Sequence, residues 1–115
     1  MKGMLQQKTI DFAVRIVNFY KHLCTDKKEF VISKQILRSG TSIGANVHES
    51  IHAQSRADFI SKMNIALKEA DETDYWLRLL KDSDIINQKE FDSLEKDVKQ
   101  IIGTLVKIIK SSKPI

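Results

Sequence analysis

The chain has 115 residues, 42% hydrophobic and 30% charged, with one Pro, four Gly, one Cys and a net charge of +4. That length gives a single domain over 1–115 and excludes a large multidomain enzyme, while so little Gly and Pro excludes the repeated turns of an all-β fold. Cys24 alone makes neither an internal disulfide nor a cysteine metal cluster.

No apolar run approaches the roughly 20 residues that cross a bilayer, so no membrane partner is expected. The N-terminus lacks a signal-peptide pattern, which makes the cytoplasm the expected location. Charge is segregated along the chain. Residues 1–23 carry four bases and one acid, residues 68–97 carry ten acids and five bases, and residues 98–115 carry four lysines and no acid. The last stretch ends in a basic tail at about 111–115. Such separation either steers a polyanion or serves solubility and packing between subunits.

Hydrophobic periodicity predicts four helices. The first runs from about Leu5 to Leu23, where Ile10, Phe12, Ala13, Ile16, Val17, Phe19, Tyr20 and Leu23 form a broad apolar face. The second begins near Ser33 and carries Ile36, Gly40, Ile43, Val47 and Ile51. Its glycines weaken it by roughly 1 kcal/mol each as an isolated helix, so Gly40 and Gly44 make sense only under a closely packed neighbour. The third starts at Ser55, with Asp58 in its first turn, and keeps a 4-3 alternation through Phe59, Met63, Ala66, Ala70, Thr73, Leu77 and Leu80. The fourth opens at the capping-box sequence Asn87-x-x-Glu90 and continues through Phe91, Leu94, Val98, Ile101, Leu105 and Ile108. Short connections make consecutive helices antiparallel, giving an all-α, up-down-up-down four-helix bundle. Trp76 and Leu79 on the third helix and Ile102, Val106 and Ile109 on the fourth lie outside these stripes. That surplus points to a subunit interface.

The series Ile36-Leu37-Arg38-Ser39-Gly40-Thr41-Ser42-Ile43-Gly44-Ala45-Asn46-Val47, then Glu49, Phe59 and Ala66-Leu67-Lys68-Glu69-Ala70-Asp71-Glu72-Thr73-Asp74-Tyr75-Trp76-Leu77, resembles the bacterial 23S ribosomal RNA intervening sequence proteins. It departs from their pattern at Gly40, Gly44, His48 and Ser50. The resemblance implies a ring-shaped homopentamer. Through a pentameric relative, the accessory protein of diversity-generating retroelements, it also implies RNA or DNA and a nucleic-acid-processing protein as partners.

Geometry alone gives the polar part of that series a role. If the second and third helices turn back near residues 53–55, facing positions sum to about 108. Arg38 then meets Glu69 to Glu72, and Asn46 meets Lys62. Arg38, Asn46, Glu49, Glu69 and Glu72 are accordingly expected as structural polar residues that fix register.

Three patterns invite a catalytic reading. His48-Glu49-Ser50-Ile51-His52 spells H-E-x-x-H, in which two imidazoles one turn apart bind zinc and the Glu activates water, with Asp58 as a conceivable third ligand. The second His falls at a helix end, however, and no strand is available to edge a substrate cleft, so no metal or other cofactor is expected. Arg15 and His22 fit the loose spacing of helical HEPN ribonucleases, where such a pair holds phosphate and moves a proton. Their position on the first helix fits solvated face residues better. Cys24 sits at a helix C-terminus, whose partial negative charge disfavours a thiolate.

A basic stripe remains. Lys89, Lys96, Lys99, Lys107 and Lys110 recur opposite the seam of the fourth helix, and lysines without aromatic neighbours favour phosphate contacts over base reading. The expectation is a nonenzymatic, oligomeric scaffold that binds nucleic acid through this stripe. The competing expectation is a small metal-independent ribonuclease using Arg15 and His22.

Overall fold

The computed structural model describes residues 2–112. Four helices, α1 (Lys2–Thr25), α2 (Ile32–Ile51), α3 (Arg56–Asp82) and α4 (Gln88–Ser112), run alternately up and down in a bundle 47 Å long and 21 Å across. No strand occurs among the described residues. Of the basic tail, Ser111 and Ser112 belong to α4, and residues 113–115 lie outside the described residues.

The starts of α2, α3 and α4 follow from local chemistry. The Ser55 hydroxyl accepts from the Asp58 amide at 3.0 Å, and the Asp58 carboxylate accepts from the Gln54 amide at 3.1 Å. At α4 the capping box closes reciprocally: the Glu90 amide donates to Asn87 Oδ1 at 2.8 Å, and the Asn87 amide donates to Glu90 Oε1 at 3.1 Å. α2 begins at Ile32, next to the expected start near Ser33. Ser33 is buried, the N-cap position falls on Val31 without a side-chain bond, and the Glu29 carboxylate takes over that task by accepting from the amides of Val31, Ile32 and Ser33 at 3.1, 3.0 and 2.7 Å. Burial pushes this carboxyl up, but the amides of Ile32, Ser33 and Val31 outweigh it and hold it below the usual carboxylate range.

The core is one cluster. Leu5, Phe12, Ile16, Phe19 and Leu23 of α1 meet Ile36, Ile43 and Val47 of α2, Met63, Ala66, Ala70, Leu77 and Leu80 of α3, and Phe91, Leu94, Val98, Ile101, Leu105 and Ile108 of α4. The α3 and α4 stripes are buried as their period requires, except that Phe59 is half-buried. On α1 the apolar face is narrower than expected, because Ile10 is 48% exposed. Ile109 corrects another expectation: it lies in this core, 5% exposed, and so is not a surface residue. Trp76, Leu79, Ile102 and Val106 are half-buried.

Gly40 and Gly44 set the distance between α1 and α2. A Cβ at Gly40 would lie 2.8 Å from both γ carbons of Ile16, and one at Gly44 would lie 3.3 Å from the Thr9 carbonyl oxygen and hydroxyl. Side chains are absent there because the neighbouring helix fills the space, and the close fit offsets the low helix propensity of glycine.

Candidate functional site

The α2–α3 seam carries the densest polar network. Arg38 Nη1 donates to Glu69 Oε2 at 3.1 Å, and Nη2 donates to Glu72 Oε2. The Trp76 indole N–H donates to the same Glu72 oxygen at 3.1 Å. Below them the Thr73 hydroxyl donates to Ser39 Oγ at 2.9 Å, with both residues fully buried. The Trp76 indole and, beyond it, the Arg38 guanidinium hold the Glu72 carboxyl below its ordinary range against the upward push of burial. Glu72 in turn raises the Arg38 guanidinium. Asn46 departs from its expected partner: its side-chain amide donates to its own helix at Ser42 O, 2.8 Å, while Lys62 reaches Glu49 Oε1 at 3.1 Å. The short Asn side chain bonds a carbonyl one turn back, whereas the long Lys crosses the seam.

Arg15 and His22 lie on the α4-facing flank of α1, and both are engaged. Arg15 Nη1 pairs with Asp97 Oδ2 at 2.6 Å, and Nη2 donates to Ser93 Oγ at 2.8 Å. His22 Nδ1 lies 2.7 Å from Asp26 Oδ2 and Nε2 lies 3.0 Å from Glu90 Oε2. Carboxylates thus occupy the positions where a phosphate would have to approach.

The basic stripe divides in two. Lys89, Lys96 and Lys107 are exposed and, at 100° per residue, fall within about 20° of one another on the face of α4 opposite its buried seam, with exposed Lys110 about 40–60° to one side. Lys99 is exposed too and lies about 20° from Lys110 on the α3-facing flank, but its ammonium is 3.0 Å from Asp74 Oδ2, and the Asp74 hydrogen bond raises its pKa. Beside it, burial and then the Asp74 carboxyl push Glu95 above the usual carboxylate range. Asp74 Oδ1 and Glu95 Oε2 are buried without a hydrogen-bond partner. Periodicity alone missed this carboxyl pair because its members are far apart in sequence and sit at the seam edge.

The H-E-x-x-H residues do not converge. His48 and His52 are exposed with ring centroids 5.9 Å apart, His48 Nδ1 lies 3.1 Å from Gln6 Nε2, Glu49 is held by Lys62, and Asp58 caps α3. No group of three or more His, Cys, Asp or Glu is placed to hold a metal among the described residues. Cys24 is half-buried and its thiol donates to Ser33 Oγ at 3.8 Å.

The fold and these seams define an antiparallel four-helix bundle in which most candidate polar residues are committed to helix–helix contacts, leaving α4's outer face as the main charged surface on that helix. A profile of the 23S rRNA-intervening sequence proteins matches residues 2–107, and the chain belongs to that family. It is similar to a crystal structure from Bacteroides thetaiotaomicron, described as a protein with unknown function from the S23 ribosomal protein family. The two share 57% identity and a TM-score of 0.94, over 96% of this chain and 99% of that one. No match was found among curated proteins. No helix among the described residues is long and apolar enough to cross a membrane.

Proposed function

We propose that this chain is a nonenzymatic scaffold that assembles with copies of itself and holds RNA by its phosphate backbone. The observation that carries the RNA reading is the outer face of α4, where Lys89, Lys96, Lys107 and Lys110 stand exposed and form no ion pair among the described residues. Asp92, near the start of this face, is bonded by Gln88 at 2.7 Å. RNA is the polyanion of choice because the family is named for intervening sequences of 23S rRNA. Repeating the face in every subunit of an assembly multiplies weak contacts into useful affinity.

A fluorescence titration with structured RNA tests this. Affinity should fall steeply with salt. Changing Lys96, Lys107 and Lys110 together to Gln should weaken binding at low salt and flatten the log–log salt slope by about 2–3, the number of phosphate contacts removed. Lys99→Gln should change little, since Asp74 already holds that ammonium. Unchanged affinity in the triple variant rejects the α4 face, and equal binding of double-stranded DNA rejects a preference for RNA.

A further inference from the structure

Lys99 crosses the α3–α4 edge to Asp74 Oδ2 at 3.0 Å, which sets the register of that edge. Glu95 lies one turn before Lys99 on α4, and Arg78 lies one turn beyond Asp74 on antiparallel α3, so Glu95 stands between Asp74 and Arg78. The Arg78 guanidinium lies over the Phe91 ring, 5.9 Å from its centroid, near enough to Glu95 to favour its charge. Glu95 itself is within hydrogen-bonding reach of Asp74.

Both side chains are half-buried, yet one oxygen of each is shut off from water. These two atoms, Asp74 Oδ1 and Glu95 Oε2, have no hydrogen-bond partner. Two ionised carboxylates cannot satisfy each other, because their oxygens only accept. A metal ion is not the missing partner: no group of three or more His, Cys, Asp or Glu gathers to hold one among the described residues, and an ammonium already sits on Asp74. One proton removes both deficits at once. Protonated Glu95 becomes a donor, and Asp74 Oδ1 is the acceptor that faces it.

We infer that Asp74 Oδ1 and Glu95 Oε2 hold a single proton between them, taken up from solvent as the bundle folds, and that this proton clasps the α3–α4 edge. With it in place the pair carries one negative charge, which the Lys99 ammonium matches. Without it, two negative charges face each other where water does not reach. The surrounding charges agree with that state. Burial and then the Asp74 carboxyl push Glu95 above the usual carboxylate range, with Lys99 and Arg78 opposing, and exposed Asp71 is the further acid near Lys99. The other charges of the two helices are engaged on their far sides, Glu69 and Glu72 with Arg38 of α2, and Asp97 with Arg15 of α1. A clasp made by a raised acid is complete below the ordinary carboxylate value and is lost as pH rises through the folded value. The α3–α4 edge is therefore tightest in weak acid and loosens when the proton leaves.

Carboxyl-carbon NMR of the full chain across pH 3–9 tests the shared proton. Glu95 Cδ should titrate above 4.5, and Asp74 Cγ should move at the same midpoint, because such a proton belongs to the pair. Burial alone would shift Glu95 and leave Asp74 still. Asp74→Asn should lower the Glu95 midpoint, and Lys99→Met should raise it. Hydrogen exchange tests the clasp against Glu95→Gln, whose side-chain amide can donate to Asp74 at every pH. Amides of residues 74–78 and 95–99 in the wild type should match that variant in protection below the midpoint and fall behind it above. A Glu95 midpoint at or below 4.5, an Asp74 carbon that stays still through the Glu95 step, or a midpoint indifferent to Asp74→Asn overturns the shared proton. A difference from Glu95→Gln that is the same at every pH overturns the clasp.

Discussion

The two sides of the bundle that face α2 and α4 are built differently. α2 and α3, joined by a tight turn, interlock along their length through Arg38 with Glu69 and Glu72, Ser39 with Thr73, and Glu49 with Lys62. α1 and α4 come from opposite ends of the chain and touch least of the four neighbouring pairs. Their side is strapped at the rim by Lys8 with Gln100, Arg15 with Asp97, and His22 with Glu90. The α2–α3 seam has a fully buried pair at its centre, Ser39 with Thr73, and the nearly buried Glu69, whereas each side-chain bond named between α1 and α4 is at least partly exposed. α1 accordingly depends on α2 for its anchorage.

That dependence gives the largest expected effect. Gly40→Val drives branched carbon into Ile16, and overpacking of this kind costs about 1–3 kcal/mol. Urea unfolding should register the loss, and hydrogen exchange should show α1 amides losing more protection than α3 amides. Equal loss in both helices would break the comparison.

The next effect sets one seam against the other. Arg38→Met leaves Glu69, nearly buried, and Glu72 without their cation. Because Arg38 is itself half-exposed, the cost should be about 1–2 kcal/mol, below that of a fully buried pair. Arg15→Met removes an exposed strap and should cost at most about 1 kcal/mol. Double-mutant cycles with Glu72→Gln and Asp97→Asn sharpen the contrast, and the coupling should be larger at Arg38.

The smallest effect is pH-dependent and lies at the α3–α4 edge. Glu95 has a raised pKa in the folded chain through burial and the facing Asp74, with Lys99 and Arg78 opposing. A raised acid contributes its stability fully below its unfolded value of about 4.5 and loses it as pH rises through the folded value. Glu95→Gln should therefore stabilise the bundle slightly at neutral pH, with the gain vanishing in acid. Glu72 behaves oppositely: its lowered pKa makes its contribution present above about 4.5 and lost as pH falls through the folded value. Thermal melts across pH 3–8 separate the two.

Much of this architecture was legible because helix period and short turns leave few alternatives. The 4-3 stripes on α3 and α4 located the core, and antiparallel counting brought Arg38 to Glu69 and Glu72. The misses share a cause, which is that a period assigns a face but not a reach. Asn46 was placed at the right height and is too short to cross, while Lys62 crosses to a different partner. Lys99 shares the broad polar side of α4, yet a rotation of a few tens of degrees puts it against Asp74. Glu29 lies in a connection with no period at all, so its capping of α2 left no pattern to read. On α1 an apolar arc wider than one seam conceals which members face out, so the period alone puts Ile10 inward although it is 48% exposed.

Trp76 has a spectroscopic consequence. It is the sole tryptophan of the chain, and its indole N–H is bonded to Glu72 in the α2–α3 seam. Its emission is a local optical gauge of that seam and is nearly blind to the far side of the bundle. Far-ultraviolet dichroism averages over all four helices. If α1 peels away first on heating, ellipticity will fall while emission still reads as folded, and the gap between the two curves measures the population of a three-helix intermediate without any label.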